Sequence, residues 1–325
     1  MSKILVTGGA GYIGSHTTLA LCAQGYEVVV YDNLSTGRAD AVLPPARLEV
    51  GDLAETDKLS ELMCREKFDG ILHFAGSIVV PESVTNPLKY YANNTNNTTN
   101  LIALAVKHKI PQFIFSSTAA VYGMPETVPV TETSPLAPIN PYGRSKLMSE
   151  WVIQDTHTAH PGFNYVILRY FNVAGADPQG RIGQSTPKAT HLIKVASQAA
   201  LGRRDHLKIF GTDYPTKDGT CIRDYIHITD LAQAHVLALH HLETGKEAGI
   251  FNCGYGNGYT VREIVEAVKK VSNVDFATKE VERRPGDPAT LISDPTKLMR
   301  TMGWKPEHDD IEEIALSAYL WEKKL

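Results

Sequence analysis

The sequence predicts an α/β fold, a doubly wound parallel sheet followed by a second, smaller α/β domain. In the first half of the chain, short apolar runs alternate with longer amphipathic segments. A glycine-rich turn comes directly after the first of these runs. Repeating strand–helix units of this kind imply right-handed crossovers that place helices on both faces of the sheet, as in the Rossmann fold.

The predicted strands of the sheet are short and apolar on both faces, which is typical of parallel strands covered by helices. They lie at residues 4–7, 27–31, 47–50, 70–74, 112–116 and 165–169. The spacing between most of these runs leaves room for a helix. We therefore expect a series of strand–helix units in the first half.

The alternation of strands and helices changes after about residue 172. The sequence then predicts a loop rich in Gly, Pro, Gln and Thr over 175–190, a helix over 191–201, a strand over 222–228 and a helix over 230–241. Thr260 is placed to cap a helix over 261–271, with Glu263 at the capping-box position. These shorter elements predict a smaller α/β domain.

We expect two domains with a boundary near residue 172. Residues 1–172 would form a cofactor-binding domain, and residues 173–325 would form a substrate-binding domain. In an alternative arrangement, the segment 223–241 packs back on the first domain.

The composition is that of an ordinary globular protein and limits the classes of function. The chain has 325 residues, is 43% hydrophobic and carries a formal net charge of -4, which argues against a protein that coats nucleic acid or an anionic membrane. No run of about 20 apolar residues and no signal-peptide pattern is present, so we expect a cytoplasmic protein. Because Cys22, Cys64, Cys221 and Cys253 are far apart, we expect reduced thiols and no metal site.

The glycine-rich turn after the first strand predicts a phosphate-binding loop. Glycines at positions 8, 11 and 14 allow a tight turn, so that backbone N–H groups and the next helix N-terminus can approach a pyrophosphate. Asp32 ends the second strand, where a carboxylate can accept hydrogen bonds from both ribose hydroxyls of an adenosine and repels a 2′-phosphate. No arginine immediately follows, so the sequence predicts NAD rather than NADP; alternatively, Asp32 is a turn residue.

Two later strand ends and one polar segment extend the expected cofactor site. Asp52 and residues 74–76 follow the third and fourth strands, where a dinucleotide would pass, although each can also be part of a turn. Residues 93–100 consist only of Asn and Thr. They can form a polar loop, but the helical pattern that follows favours a polar helix start that faces a ligand.

An acid–base pair is predicted near the middle of the chain. Tyr142 and Lys146 are four residues apart and share one face of a helix, whose start is indicated by Pro141. A nearby ammonium favours the phenolate and lowers the tyrosine pKa, so the phenolate can take a proton from a hydroxyl while hydride leaves the same carbon. The hydroxyl of Thr118, at the end of the preceding strand, can share a hydrogen bond with that substrate hydroxyl. The alternative is an exposed helical pair.

In the order in which they occur, these features resemble the extended short-chain dehydrogenase/reductase family over essentially the whole chain. The resemblance rests on residues 6–16, 31–34, 74–76, 115–123, 140–146, 168–172, 209–227 and 283–287. It is most detailed for members that epimerise UDP-sugars at carbon 4, because generic relatives lack the stretch 209–227. It implies an NAD-dependent interconversion of UDP-glucose and UDP-galactose.

In the implied mechanism, Tyr142 deprotonates the sugar 4-hydroxyl while hydride passes to NAD, and the 4-keto sugar turns so that hydride returns to its opposite face. The implied catalytic residues are Tyr142, Lys146 and Thr118. The expected cofactor-binding residues are Gly8, Gly11, Tyr12, Ile13, Gly14, Asp32, Asn33, Asp52, Leu53, Phe74, Ala75, Gly76, Asn93, Ser116, Tyr142, Lys146 and Tyr170. The implied substrate-binding residues are Thr118, Tyr142, Asn172, His191, Leu192, Lys208, Phe210, Arg223, Arg284, Asp287 and Leu291. A homodimer through residues 90–107 and 145–157 is also implied.

The chain departs from the family pattern at several positions. Thr118 stands where many relatives carry serine, and Ile78 stands where some carry a lysine that touches the cofactor. His191 replaces a common asparagine beside the sugar nucleotide. Leu291 stands at a position that gates sugar size, and it is neither the large tyrosine nor the small residue found there in relatives. UDP-N-acetylglucosamine/galactosamine or UDP-arabinose/xylose therefore stay open as substrates.

Other members of the family are less compatible with the residues. A 4,6-dehydratase needs an acid pair where this chain has Ala119 and Ala120, and two methyl groups cannot protonate a leaving hydroxyl. A decarboxylase lacks its glutamate at the same place. A non-catalytic NAD-binding sensor is disfavoured because Tyr142 and Lys146 are both present.

Overall fold

The computed structural model describes residues 2–186, 190–284 and 286–325. Pro285 of the motif at 283–287 and residues 187–189 of the predicted loop lie outside the described residues. The chain forms two compact units. Unit 1 consists of Met1–Val121, Pro138–Arg169 and Ala232–Phe251, and unit 2 of Tyr122–Ala137, Tyr170–Leu231 and Asn252–Leu325. The domain boundary that the sequence suggests near residue 172 stays a prediction.

The strands, in chain order, are β1 Lys3–Thr7, β2 Glu27–Asp32, β3 Arg47–Val50, β4 Gly70–His73, β5 Gln112–Thr118, β6 Asn164–Tyr170, β7 Asn172–Ala174, β8 Leu207–Phe210, β9 Ile222–His227, β10 Gly249–Cys253, β11 Gly258–Thr260, β12 Thr278–Val281 and β13 Thr290–Leu291. The strands predicted in the first half agree with β1 to β6 within two residues at each end.

The α-helices are α1 Tyr12–Ala23, α2 Thr56–Glu66, α3 Val80–Thr85, α4 Pro87–Tyr90, α5 Asn97–Lys107, α6 Pro141–Ala159, α7 Leu192–Ala200, α8 Ile228–Glu243, α9 Val261–Ser272, α10 Thr296–Met302 and α11 Ile311–Lys324. Short 3₁₀ turns occupy Ala39–Ala41 and Ala119–Tyr122, and a π-helical segment occupies Tyr91–Asn96. None of the described helices is long and apolar enough to cross a membrane.

A seven-stranded sheet with the order β10-β6-β5-β4-β1-β2-β3 forms the centre of unit 1. β1 pairs in parallel with both β2 and β4, and β4 pairs in parallel with β5. The chain therefore winds outward in both directions from β1, which confirms the predicted doubly wound sheet. In such a sheet, ligands bind beyond the carboxyl ends of the strands, next to the point where the winding reverses.

The core of unit 1 lies between the sheet and its helices. Leu5, Ile71 and Phe113 from neighbouring strands are fully buried, and they pack in one cluster with Leu59 of α2 and Leu101 of α5. Burying a side chain of this size contributes roughly 1.5–3 kcal/mol. This core fixes the strands in register and thereby places their carboxyl ends side by side.

Unit 2 is a smaller α/β arrangement, as predicted. β9 pairs with β11, β13 and β7, and β8 pairs with β12 in a separate two-stranded sheet. Helices α7, α9 and α11 pack on one another. The predicted capping box of α9 is present, because Thr260 Oγ1 accepts a hydrogen bond of 3.1 Å from the Glu263 N–H, and Glu263 accepts one of 2.9 Å from the Thr260 N–H.

Candidate active site

The glycine-rich turn lies at the carboxyl end of β1 and requires glycine at two positions. Gly8 has a φ of 73°, and a Cβ added there would lie 2.5 Å from the backbone nitrogen of Ala75. A Cβ on Gly14 would lie 2.3 Å from the carbonyl oxygen of Gly8. Both distances are far inside van der Waals contact, so the turn can only be this tight without side chains. Gly11 is the N-terminal cap of α1, whose free N–H groups favour a phosphate.

Asp32 is a buried carboxylate at the carboxyl end of β2, beside the glycine-rich turn. Its Oδ2 accepts a hydrogen bond of 3.0 Å from the Ala10 N–H, and its Oδ1 accepts one of 2.8 Å from the Leu34 N–H. A carboxylate has about four acceptor sites, so two are left for ribose hydroxyls. The backbone N–H of Arg38 donates to the Ala10 carbonyl, but its guanidinium is bonded to Asp40. The residues fit NAD, since the nearby arginine already has an anionic partner.

Hydrogen bonds stabilise the turns that follow β2 and β3, and they involve Asn33 and Asp52. Asn33 donates 2.7 Å to Oδ2 of Asp52, and Oδ1 of Asp52 accepts a hydrogen bond from the Ala54 N–H. Asp52 therefore serves as a turn residue here, and its expected contact with the cofactor stays a prediction. The next residue, Leu53, is buried.

The predicted cofactor residues Tyr12 and Ile13 open α1 and are half-buried. Phe74 and Ala75 follow β4, and the ring of Phe74 packs on His235, 4.8 Å away between centroids. Ala75 is the residue whose nitrogen faces Gly8. The ends of β1 and β4 are therefore in contact, as expected at the reversal point of a doubly wound sheet.

The Asn- and Thr-rich segment is helical, so the polar-loop alternative for residues 93–100 is wrong. It continues from the π-helical turn into α5, and π-helical turns are frequent at functional sites. Asn93 donates to the hydroxyl of Ser77, and Asn94 accepts a hydrogen bond of 2.7 Å from the Ser77 N–H. Asn94 also donates 3.0 Å to the Ser145 hydroxyl on α6. These amides join the segment after β4 to the helix of the acid–base pair, next to Gly76.

The predicted acid–base pair is assembled by α6 and the end of β5. Asn140 caps α6 by accepting a hydrogen bond of 2.9 Å from the Gly143 N–H. Tyr142 is buried, and the side chain of Thr118, at the end of β5, acts to lower its pKa. The ammonium of Lys146 donates 2.9 Å to the carbonyl oxygen of Ser116. The structure therefore brings Tyr142, Lys146 and Thr118 together, and the alternative of an exposed helical pair is wrong.

Burial dominates the electrostatics of this pair. It lowers the pKa of Lys146 to about 8, while the carboxylate of Glu150 acts in the opposite direction. It raises the pKa of Tyr142 above its usual value, although the hydrogen bond from Thr118 lowers it in part. The expected low pKa of Tyr142 is therefore absent in the chain alone, because the phenolate loses hydration when it is buried. A further positive charge beside the phenol is needed to favour the phenolate.

Sequence reasoning missed a buried ion pair behind the acid–base pair. Glu150 lies one turn beyond Lys146 on α6, and its carboxylate accepts hydrogen bonds from Arg169 of β6 and from Ser117 of β5. The side chains of Glu150 and Arg169 are 0% and 1% exposed. The spacing of four residues from Lys146 could have indicated Glu150, but no sequence signal points to Arg169 as its partner.

Three of the predicted substrate residues line one cavity in unit 2. Asn172 begins β7, His191 is the N-cap of α7 and Leu192 is its first residue. They border one small cavity, together with Gln184 and Trp321. Sequence reasoning did not identify Gln184 or Trp321, because nothing in a loop or in an amphipathic helix distinguishes them.

A second group of predicted substrate residues forms a cation-rich cluster in unit 2. Arg223 and Arg284 each donate to the carboxylate of Asp287, at 2.9 Å from Oδ1 and Oδ2 respectively. The guanidinium carbon of Arg284 lies 4.7 Å from the ring centroid of Phe210. Lys208 precedes Phe210 by two residues on β8, so both side chains leave the same face of that strand.

Strand β9 connects the two groups. Its residue Tyr225 is in register with Asn172 of β7, and Arg223 is in register with Leu291 of β13. Leu291 is buried. Tyr170, the last residue of β6, precedes Asn172 by two positions, and its predicted contact with a cofactor stays a prediction. Among the described residues, no group of three or more His, Cys, Asp or Glu side chains is placed to hold a metal ion.

Comparison with known proteins agrees with this geometry. The model of the NAD dependent epimerase/dehydratase family matches residues 4–254. The chain belongs to this family. Because the family is NAD dependent, the dinucleotide for which the glycine-rich turn and Asp32 are shaped is NAD.

Individual members of the NAD dependent epimerase/dehydratase family are similar over the full length. The UDP-glucose 4-epimerase of Azospirillum brasilense is 54% identical over 99% of this chain and 92% of its own length. The structure of the UDP-Glc/GlcNAc 4-epimerase from Campylobacter jejuni is also 54% identical, with a TM-score of 0.88 and full coverage of both chains. That of UDP-glucose 4-epimerase from Bifidobacterium longum in complex with NAD⁺ and UDP is 36% identical over 99% of this chain and 98% of its own, with a TM-score of 0.94.

Proposed function

We propose that this chain is an NAD-dependent UDP-sugar 4-epimerase that interconverts UDP-glucose and UDP-galactose. The observation that carries the proposal is the buried pair of Tyr142 and Lys146, one helical turn apart on α6, with the Lys146 ammonium held 2.9 Å from the Ser116 carbonyl of β5. A tyrosine paired in this way can move a proton to and from a sugar hydroxyl. The similarity to several UDP-glucose 4-epimerases supports the choice of a UDP-sugar as the substrate.

Proton transfer belongs to unit 1. Tyr142 takes the proton of the sugar 4-hydroxyl, and Thr118 orients that hydroxyl by sharing the hydrogen bond. Lys146, held on the Ser116 carbonyl, supplies the positive charge that stabilises the phenolate. When bound, NAD supplies a reversible hydride acceptor for carbon 4 of the sugar. The same tyrosine then returns the proton after the 4-keto sugar has turned its other face.

Binding of the nucleotide belongs to unit 2. Arg223 and Arg284 each use part of their guanidinium for Asp287, and Arg223 also donates through Nη1 to the Ile222 carbonyl. A guanidinium has five N–H donors, so others are left for the oxygens of a diphosphate. Phe210, beneath Arg284, presents a ring that can stack on uracil. Firm contacts to the nucleotide and few contacts to the sugar allow the 4-keto sugar to turn. We infer the binding roles of Asn172, His191, Leu192, Lys208 and Leu291 from the family resemblance.

A second candidate substrate is an N-acetylated UDP-hexosamine. It is favoured by the similarity to the UDP-Glc/GlcNAc 4-epimerase of Campylobacter jejuni, at 54% identity, and by the intermediate size of Leu291. The deciding experiment incubates the purified protein separately with UDP-galactose and UDP-N-acetylgalactosamine and separates the products. We expect UDP-glucose from the first. If neither substrate is converted in the presence of NAD, the proposed function is wrong.

We also propose that the protein is a homodimer. Met148 and Trp151 lie on the outer face of α6 and are 40% and 52% exposed, and Leu88 on α4 is 77% exposed. Large apolar side chains that are exposed together on one unit mark surfaces that bind another protein. Sedimentation should give twice the mass of the chain, and Trp151→Lys should give the monomer. The predicted cytoplasmic location stays a prediction.

A further inference from the structure

A buried series of polar contacts in unit 2 leads from the C-terminal helix to His191. The ammonium of Lys194 on α7 lies 2.5 Å from Oε2 of Glu322 on α11 and donates 2.6 Å to the carbonyl oxygen of Gln184. The side chains of Lys194 and Glu322 are only 6% and 4% exposed. A buried ion pair requires good geometry because each charge has lost its hydration. The pair therefore holds the backbone of Gln184 in a fixed place.

The side chain of Gln184 extends this series to the imidazole of His191. Its Nε2 lies 2.7 Å from Nδ1 of the ring. With the amide of Gln184 in this orientation, its N–H donates to Nδ1, which is then the ring nitrogen without a proton. Burial and the nearby Lys194 ammonium lower the pKa of His191 below its usual value, so the ring is neutral at pH 7. A neutral ring with a free Nδ1 carries its proton on Nε2.

We propose that Gln184 is a positioning residue that fixes this tautomer of His191, so that the ring offers an N–H group to a nucleoside diphosphate in the cavity that both residues line. The identity of the ligand rests on the proposed function. The other tautomer would present the lone pair of Nε2, which cannot bond to the acceptor oxygens of a diphosphate. The N-terminus of α7, next to His191, favours an anion in the same place.

The tautomer can be measured without any ligand. The ¹⁵N chemical shifts of the histidine side chains should show a protonated Nε2 and a bare Nδ1 for His191, whose signals are those lost in His191→Asn. In Gln184→Leu, the shifts should move toward a mixture of tautomers. In Gln184→Glu, the carboxylate accepts from Nδ1–H and should give a doubly protonated ring at neutral pH. A protonated Nδ1 in the wild type, or unchanged shifts in Gln184→Leu, would overturn the proposal.

UDP binding tests the functional half of the proposal in a double-mutant cycle. Gln184→Leu should weaken UDP binding roughly three- to tenfold, which is the effect of one hydrogen bond. The amide of His191→Asn donates without a tautomer, so Gln184→Leu should cost little in that background. An equal loss in both backgrounds would mean a general structural role and would overturn the proposal.

A control variant tests whether the effect on UDP binding is specific to Gln184, and the nitrogen shifts test the tautomer of His191 without UDP. Gln179→Leu changes an exposed glutamine nearby in the chain and should leave UDP binding unchanged. If the wild type binds no UDP, the proposed function and the ligand named here both fail. The nitrogen shifts still report on the pairing of Gln184 and His191 in that case, so the two failures are distinguishable.

Discussion

The ammonium of Lys146 on α6 is hydrogen-bonded to the backbone carbonyl of Ser116 on β5, at a distance of 2.9 Å. Two residues further along β5, the side chain of Thr118 acts to lower the pKa of Tyr142. One strand end therefore acts on both members of the acid–base pair. Because a backbone carbonyl is a rigid acceptor, the positive charge of Lys146 has a fixed place relative to the phenol. This arrangement is the basis of the first two predictions.

The charge of Lys146 should determine the alkaline side of the pH profile. Its pKa is lowered to about 8 by burial, so the ammonium is present below this pH and is lost above it. Turnover should therefore fall as the pH rises through about 8. Lys146→Met should reduce kcat roughly 10²–10⁴-fold, and the remaining rate should rise with pH, because Tyr142 must then ionise without the ammonium. A wild-type rate that rises steadily from pH 8 to pH 10 would contradict this assignment.

Tyr142→Phe should abolish epimerisation and leave nucleotide binding intact. The substitution removes the only atom that carries the proton, while the ring keeps its place in a buried site. We expect kcat to fall roughly 10²–10⁴-fold or below detection, with the affinity for UDP unchanged within about twofold. Tyr165→Phe, at a buried tyrosine of β6, is the control and should retain turnover. Full activity of Tyr142→Phe would refute the acid–base assignment.

The purified protein should contain bound NAD(H) and no NADP. The carboxylate of Asp32 already accepts the N–H groups of Ala10 and Leu34, and it would repel a 2′-phosphate. Asp32→Asn should weaken NAD binding roughly tenfold or more, because hydrogen bonds to a charged acceptor are lost. Extraction and chromatography of the bound cofactor measure its identity in the wild type and the amount of NAD that Asp32→Asn retains. Asp309→Asn, at an exposed aspartate of unit 2, should change neither; NADP in the extract of the wild type would be the contrary result.

Leu291 should influence the preference between hexoses and N-acetylated sugars. It is buried on β13, in register with Arg223 of the cation-rich cluster. Leu291→Ser replaces a branched side chain by a much smaller one and should raise the kcat/KM ratio of UDP-N-acetylgalactosamine over UDP-galactose, by about tenfold. Leu320→Ser, at an exposed leucine of α11, should leave the ratio unchanged. An unchanged ratio in Leu291→Ser would mean that this position does not gate the sugar.

The sheet and the glycine-rich turn could be predicted because their signals are local. A buried strand, a helix cap such as Thr260 with Glu263, and a turn that needs Gly8 all show within a few residues of sequence. By contrast, β10 at the edge of the sheet lies outside the repeating strand–helix units of the first half, and the sequence does not predict it. Its position depends on pairing with β6, which is distant in sequence.

The parts of the site that sequence could not show all depend on distant partners or on burial. Arg223 and Asp287 are 64 residues apart and meet only because β9 and β13 pair. The direction of the Tyr142 pKa depends on how deeply α6 is buried, which no motif reports. The residue types that carry the chemistry were therefore predictable from motifs, while their charge states and supporting contacts required the structure.

The buried pair of Glu150 and Arg169 should contribute far more to stability than an exposed pair. Arg169 donates to Glu150 through Nε and Nη2, at distances between 2.6 and 3.2 Å, and both side chains are excluded from water. Glu150→Gln leaves a buried guanidinium without its counter-charge, which costs about 3–5 kcal/mol and should lower the Tm by roughly 10 °C.

The exposed ion pair of Glu82 and Lys89 is the control for the buried pair. A double substitution of the buried pair tests whether the unpaired charge causes the loss of stability. Glu82→Gln breaks an ion pair with Lys89 whose side chains are 38% and 47% exposed, so it should lower the stability far less than Glu150→Gln does. Glu150→Leu combined with Arg169→Met removes both buried charges and should recover most of the lost stability, because apolar side chains of similar volume need no counter-charge. If Glu150→Gln melts within about 2 °C of the wild type, the guanidinium must reach water or another anion, and the pair is not what fixes α6 against β6.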